Sequence, residues 1–179
     1  MVWEIRSKET AEIAINAALT WHLVLTTLHT NSAVDWVARL LNMWVKTHML
    51  APALNCIVWQ RLVRVLEKDK KLITITKELQ TELNTELEYI SKYHPEFLPQ
   101  ENQVCEPNIA EWSDWYDGRT AIAEVLTIWD EVESMILRDL ASLDILEALR
   151  PMWYTTISED GYIKVLEGKT SLDELRRVL

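Results

Sequence analysis

The chain has 179 residues, 49% hydrophobic and 26% charged. That is enough for one domain with a real core plus a small appendage, and it is unlike a disordered tail or a coiled-coil rod. Eighteen Lys and Arg against 28 Asp and Glu leave a formal charge of −10, which excludes a bulk nucleic-acid or anionic-membrane binder. No apolar run reaches the ~18 residues of a membrane span, and no signal-peptide pattern opens the chain. Two cysteines, Cys56 and Cys105, are too few for a disulfide scaffold or a four-cysteine zinc site and suit a cytoplasmic setting.

In chain order, residues 2–5 (VWEI) read as a short apolar strand or the end of one. Ser7 is placed to cap a helix over 8–20, with Ile13, Ala14, Ala17 and Ala18 as its apolar stripe. Residues 22–29 (HLVLTTLH) are short and rich in β-formers, which predicts a buried strand of a parallel sheet. Helices are expected at 33–43 and 47–56, and a strand at 57–66. This alternation of strand and helix points to an α/β layer. Residues 67–72 (EKDKKL) form a charged break. Ile75, Leu79, Leu83, Leu87 and Ile90 then recur at helical spacing, which predicts one amphipathic helix.

Pro95, Pro99 and Pro107 mark 94–108 as a loop. Residues 119–128 read as a strand or its entry, and helices follow at about 130–141 and 142–150. Ser158 is expected to cap a short helix ending at Gly168, and Ser171 with Glu174 to form a capping box for a last helix. Cys56, on an apolar stretch, is expected to be buried. His48 and His94 are expected at the surface.

One feature of the composition is abnormal. Glycine averages about 7% of residues, so roughly a dozen are expected, yet the chain holds three glycines and nine tryptophans.

Three segments carry a family resemblance: EIRSKETAEIAINAALT with HLVLTTLHTNSA, ARLLNM and QRLVR over residues 4–64; YDGRTAIAEVL over 116–126; and ISEDGYIKVLEGKTSLDELRRVL over 157–179. Their order and spacing resemble the C-terminal half of the secretion and pilus-assembly ATPases, the hexameric motors of type II secretion and type IV pili. In that family the first stretch reads VGEIRD-x-ETA, the Walker B strand, and the second TGHLVLSTLHTN, the histidine box. Later pieces read MGV, AQRLVR, TGYKGRT and an EDG tail.

Trp3, Trp21, Trp44, Trp115 and Trp153 stand where this family places glycine. Trp36, Trp59, Trp112 and Trp129 fall at looser positions. A conceptual translation that reads UGA as tryptophan, in a lineage that reads it as glycine, would account for the composition. Tryptophans forced into glycine turns should appear as overpacking or exposed indoles.

The resemblance implies an α/β fold: a partial RecA-like P-loop NTPase layer followed by a mostly helical C-terminal subdomain. Residues 1–64 would be the C-terminal part of the ATPase core, 65–108 a helical insert and loop, and 109–179 the C-terminal helical subdomain. It implies that Glu4 is the catalytic, water-orienting carboxylate. His29, just past the carboxyl end of its strand, is the better candidate for sensing the γ-phosphate, with Thr30 beside it. His22, at the opposite end, fits sensing or a structural role equally. Arg6 pairs with a nearby acid or holds the site's shape. Gln60 and Arg61 in QRLVR and Arg119 in DGRT suit structure or subunit contact. Ser7 stands where the family has Asp.

The implied cofactors are ATP and Mg in the full-length parent. Many relatives carry two CxxC pairs that bind zinc; this chain has only Cys105 near that place, so no zinc is expected. The implied partners are a homo-hexamer and the inner-membrane platform protein of a pilus or secretion machine, without nucleic acid. The implied location is cytoplasmic, peripheral to the inner membrane. The P-loop, GxxxxGK[ST], does not occur in the sequence. The family carries it upstream of Walker B, so the resemblance implies a fragment beginning at an internal Met and inactive alone. The competing reading is a non-catalytic helical interaction protein, or a decoy subunit of such a hexamer.

Overall fold

The computed structural model describes residues 1–98, 104–108 and 115–179. Pro99 and Trp112 lie outside the described residues. Helices and strands are mixed, as an α/β reading requires, and the chain divides into two compact units, Met1–Trp59 with Val125–Tyr154 and Gln60–Glu124 with Thr155–Leu179.

In the first unit, Ser7 accepts from the Thr10 amide and starts α1, Lys8–Leu19. Its buried face is Ala11, Ala14 and Ile15, whereas Ile13 is exposed. Of the expected stripe, Ala14 is buried and Ala17 and Ala18 are half-buried, while Ile15 takes the inward place expected of Ile13. Ser32 caps α2, Ala33–Asn42, by accepting from the Asp35 amide, and Val34, Val37 and Leu40 bury one face at helical spacing.

The helix expected over 47–56 is shorter: α3 covers Thr47–Leu50 and passes into a 3-10 turn, Ala51–Ala53. Pro52 has no N–H to continue the ladder, so the helix stops there. The long strand β1, Cys56–Leu66, follows and carries the chain into the second unit from Gln60 on. Cys56 at its start is exposed and Cys105 is buried, the reverse of the expectation for Cys56; β1 alternates its faces, and Cys56 falls on the outward set. Strand β4 (Tyr116–Thr127), which pairs with β1, returns the chain to the first unit at Val125, and α6 (Asp130–Leu137) and α7 (Ser142–Leu149) complete that unit. α7 packs on α2, and α6 on α3. Val37, Leu40, Leu50, Val132, Ile136 and Leu149 are core residues.

Residues 22–30 are extended but form no regular strand. Val24 and Leu28 pack against the core, while Leu23 and Leu25 are 83% and 59% exposed, so the expected buried strand is half-buried. Val2 donates to the Leu25 carbonyl (2.9 Å) and Ile5 to that of Thr27 (3.0 Å). The two stretches run parallel, yet three residues on one side span two on the other. This bulge at Trp3–Glu4 interrupts the ladder. No helix among the described residues is long and apolar enough to cross a membrane.

In the second unit, β2 (Lys70–Leu72) pairs antiparallel with β3 (Cys105–Pro107). Thr76 caps α4, Lys77–Glu86, which passes at Leu87 into α5, Glu88–Tyr93. One helix was expected; Leu87, with φ −105° and ψ 16°, breaks it into two. Leu79, Leu83, Leu87 and Ile90 are buried nonetheless. His94 is buried as well, 4% exposed, stacked on Phe97 at 5.5 Å, contrary to the surface expectation; the 3-10 turn at Pro95–Phe97 folds the ring back onto its own segment.

Helix α8 is Ile157–Leu166, and its cap is Thr156 in a full capping box with Glu159. Ser158 lies within the first turn and donates to Glu86 (2.8 Å), because the Glu that completes a box is three residues after Thr156, not after Ser158. Gly168 has φ 65°. Its amide reaches the Val165 carbonyl and that of Lys169 reaches Lys164 (both 2.9 Å), a Schellman end. Gly161 in α8 faces the last helix, α9 (Leu172–Val178): a Cβ there would lie 2.4 Å from Leu175 Cδ1.

Ser171 caps α9, but the Glu174 side chain does not close the box. It is buried and accepts from Arg64 Nε (2.9 Å) and the Arg64 amide (3.0 Å), and from Arg177 Nε (2.8 Å) and Nη2 (2.7 Å). The hydrogen bonds from Arg177, then those from Arg64, hold the Glu174 carboxyl down to about 2 against the opposing effect of burial. Arg64 also lies 4.1 Å above the Tyr116 ring.

Candidate functional site

Glu4 is the centre of the only constellation that joins several of the expected residues among those described. Its Oε2 takes an ion pair from Arg6 Nη2 at 2.7 Å, and its Oε1 lies 3.7 Å from His29 Nε2. The Glu4 side chain is 14% exposed and that of His29 is 87% exposed, so a shielded carboxylate stands beside an imidazole open to solvent. The hydrogen bond from Arg6 lowers the Glu4 pKa, with smaller attractions from Arg6, His29 and Arg39 and an opposing push from burial. The same pair raises the Arg6 pKa.

The local fold explains why these groups meet. Glu4 sits in the bulge between residues 2–5 and 22–30. Thr27 grips that bulge on both sides: its carbonyl accepts from the Ile5 amide (3.0 Å), and its hydroxyl donates to the Trp3 carbonyl at 2.5 Å. His29 is two residues on, on the same face of the extended segment. Thr27 and Arg39 were not among the expected site residues. Thr27 was legible as the residue that shares the His29 face; Arg39, on α2, gave no signal in sequence.

The other expected residues lie elsewhere. His22 is at the far end of the extended segment, with Nδ1 3.2 Å from Thr20 Oγ1. Thr30 donates to the Ser32 carbonyl (2.9 Å) and shapes the entry to α2. Gln60, Arg61 and Arg119 belong to the second unit. Arg61 donates through Nη1 to the carbonyls of Val178 and Leu179, tying β1 to the end of α9, while Gln60 and Arg119 are exposed.

Among the described residues no three His, Cys, Asp or Glu side chains cluster as a metal site. Mg²⁺ takes oxygen ligands in an octahedron, and both Glu4 oxygens already face cationic or imidazole nitrogens. These residues do not build a cage for Mg²⁺.

The description "Type II/IV secretion system protein" belongs to a family whose model matches residues 1–177. The chain belongs to this family. It is 38% identical over 99% of its length to "Type IV pilus assembly ATPase PilB" of Acinetobacter baylyi. It is 36% identical, again over 99%, to "Type II secretion system protein E" of Xanthomonas campestris pv. campestris. The chain spans 30% of the length of each of these relatives. The Legionella pneumophila ATPase DotB superposes with a TM-score of 0.61 at 21% identity, over 99% of this chain and 37% of that one, a likeness of fold.

Proposed function

We propose that this chain is the C-terminal part of an ATPase that powers type IV pilus assembly or type II secretion. The observation that carries the reading is the Glu4–Arg6–His29 constellation, 2.7 and 3.7 Å across, held at the bulge between two parallel extended segments. Phosphoryl transfer asks little covalent work of a protein; positioning and charge stabilisation do most of it. A lowered Glu4 pKa suits that role. A strong general base would titrate near the working pH. A carboxylate kept ionised by Arg6 instead orients the attacking water by accepting its hydrogen bond. His29, open on the solvent side, is placed to donate to a phosphate oxygen.

In this reading the complete protein binds ATP with Mg, works as a hexamer, and acts in the cytoplasm on the inner-membrane platform protein of its machine. An intact pairing of Glu4 with His29 favours it over a non-catalytic decoy.

In the complete ATPase that carries this segment, Glu4→Gln should lower kcat by at least about 100-fold with nucleotide binding retained; unchanged turnover would sink the assignment. The 179-residue chain contains no GxxxxGK[ST] and should release no phosphate from ATP above background.

A further inference from the structure

Three tryptophans occupy backbone positions that bulky side chains avoid. Trp21, Trp44 and Trp153 have φ of 68°, 66° and 67°. Among the described residues, the others at positive φ are Asp139, Gly118 and Gly168. In this region an L-residue brings Cβ against its own backbone, and a large side chain there is a genuine outlier.

Two of the three sit in a helix ending built for glycine. After α1, Trp21 donates to the Ala18 carbonyl (3.0 Å) and His22 to that of Ala17 (3.2 Å); after α2, Trp44 donates to Leu41 (2.9 Å) and Val45 to Leu40 (3.3 Å). These are the same two bonds that close α8, where the left-handed residue is Gly168. The three side chains stand largely in solvent: Trp21, Trp44 and Trp153 are 98%, 81% and 68% exposed. Trp36, Trp59 and Trp129 behave as ordinary tryptophans, half-buried against the core of the first unit.

We propose that positions 21, 44 and 153 are glycine in the protein the cell makes. The codon there would be UGA, read as glycine by the source organism and as tryptophan in the written sequence. This is independent of the proposed ATPase function, since it rests on backbone conformation, exposure and the count of three glycines against nine tryptophans. The rival explanation, that the exposed indoles dock an apolar partner, leaves the positive φ at all three unexplained.

The first test is the gene. UGA at codons 21, 44 and 153 is expected; UGG, which encodes tryptophan in either reading, overturns the proposal. The second uses the full chain with Trp21→Gly, Trp44→Gly and Trp153→Gly combined. Relief of backbone strain should raise Tm by roughly 2–4 °C per site, against a control with Trp36→Gly, Trp59→Gly and Trp129→Gly, which should lower it by removing core packing. A triple variant at 21, 44 and 153 that melts below the written sequence overturns the proposal. The third is the mass of tryptic peptides from the native protein, each expected lighter by the difference between an indolylmethyl group and a hydrogen; tryptophan-mass peptides overturn it.

Discussion

Glu4 depends for its place on one other side chain. Residues 3–5 bulge away from a regular ladder, and a bulge left to itself samples several conformations. The hydroxyl and the carbonyl of Thr27 close on Trp3 and Ile5, the residues on either side of Glu4. Removing the hydroxyl while keeping the shape frees one of the two anchors. We predict that Thr27→Val in the complete ATPase lowers kcat about tenfold with little change in KM, since a hydrogen bond is worth about 1 kcal/mol and tenfold in rate about 1.4 kcal/mol. Thr27→Ser keeps the donor and should restore turnover. If Val and Ser behave alike, the hydroxyl does not position Glu4.

At the scale of elements, the second unit closes through one buried acid. Glu174 on α9 holds Arg64 on β1 and Arg177 one turn along its own helix. Ser171 at the start of α9 shares a hydrogen bond with Tyr116 at the start of β4 (2.8 Å). The carboxyl is held down to about 2 from an ordinary 4.5. A depressed acid stabilises the fold fully above its unfolded pKa and loses that contribution as pH falls through the folded one. Glu174→Gln should therefore cost about 3 kcal/mol at neutral pH. The gap in melting temperature between wild type and variant should close between about pH 4.5 and about pH 2. A gap that stays constant as the carboxyl protonates would remove the ion pairs from the account.

These elements also mark what the sequence could disclose. The cap at Ser7, the helix expected at 33–43, the apolar face carried by α4 and the strand at 57–66 depend on local chemistry and periodicity, and all are found. Ser171 with Glu174 has the spacing of a capping box, but a carboxylate facing two guanidinium groups turns to them instead, and that choice is made by residues 110 positions apart. The burial expected of 22–29 failed for a similar reason: hydrophobic content specifies an extended stretch, whereas burial on both faces requires covering partners. The Glu4–His29 pairing was legible only through family resemblance, because nothing local ties residues 25 apart.

For the molecule as a whole, the first unit presents an incomplete sheet surface. No backbone hydrogen bond from the amides of residues 23–29 is found among the described residues, and Leu23, Leu25, Val58 and Val125 are each more than half exposed. Unpaired amides along an extended apolar edge are a template for another chain, and apolar area of this kind adds a driving force of about 25 cal/mol per Å² covered. The net charge of −10 opposes association, but only over the Debye length, about 8 Å in physiological salt. Raising the ionic strength should thus weaken the repulsion and leave the apolar attraction. We predict that the 179-residue chain self-associates at micromolar concentration, and more strongly as salt is added. Leu23→Lys with Leu25→Lys should reverse this without loss of helix content, since both side chains point to solvent and edge lysines block strand addition. Sedimentation velocity across a salt series is the measurement. A monomer at every salt concentration would mean that the exposed edge is too short or too bulged to recruit a second copy.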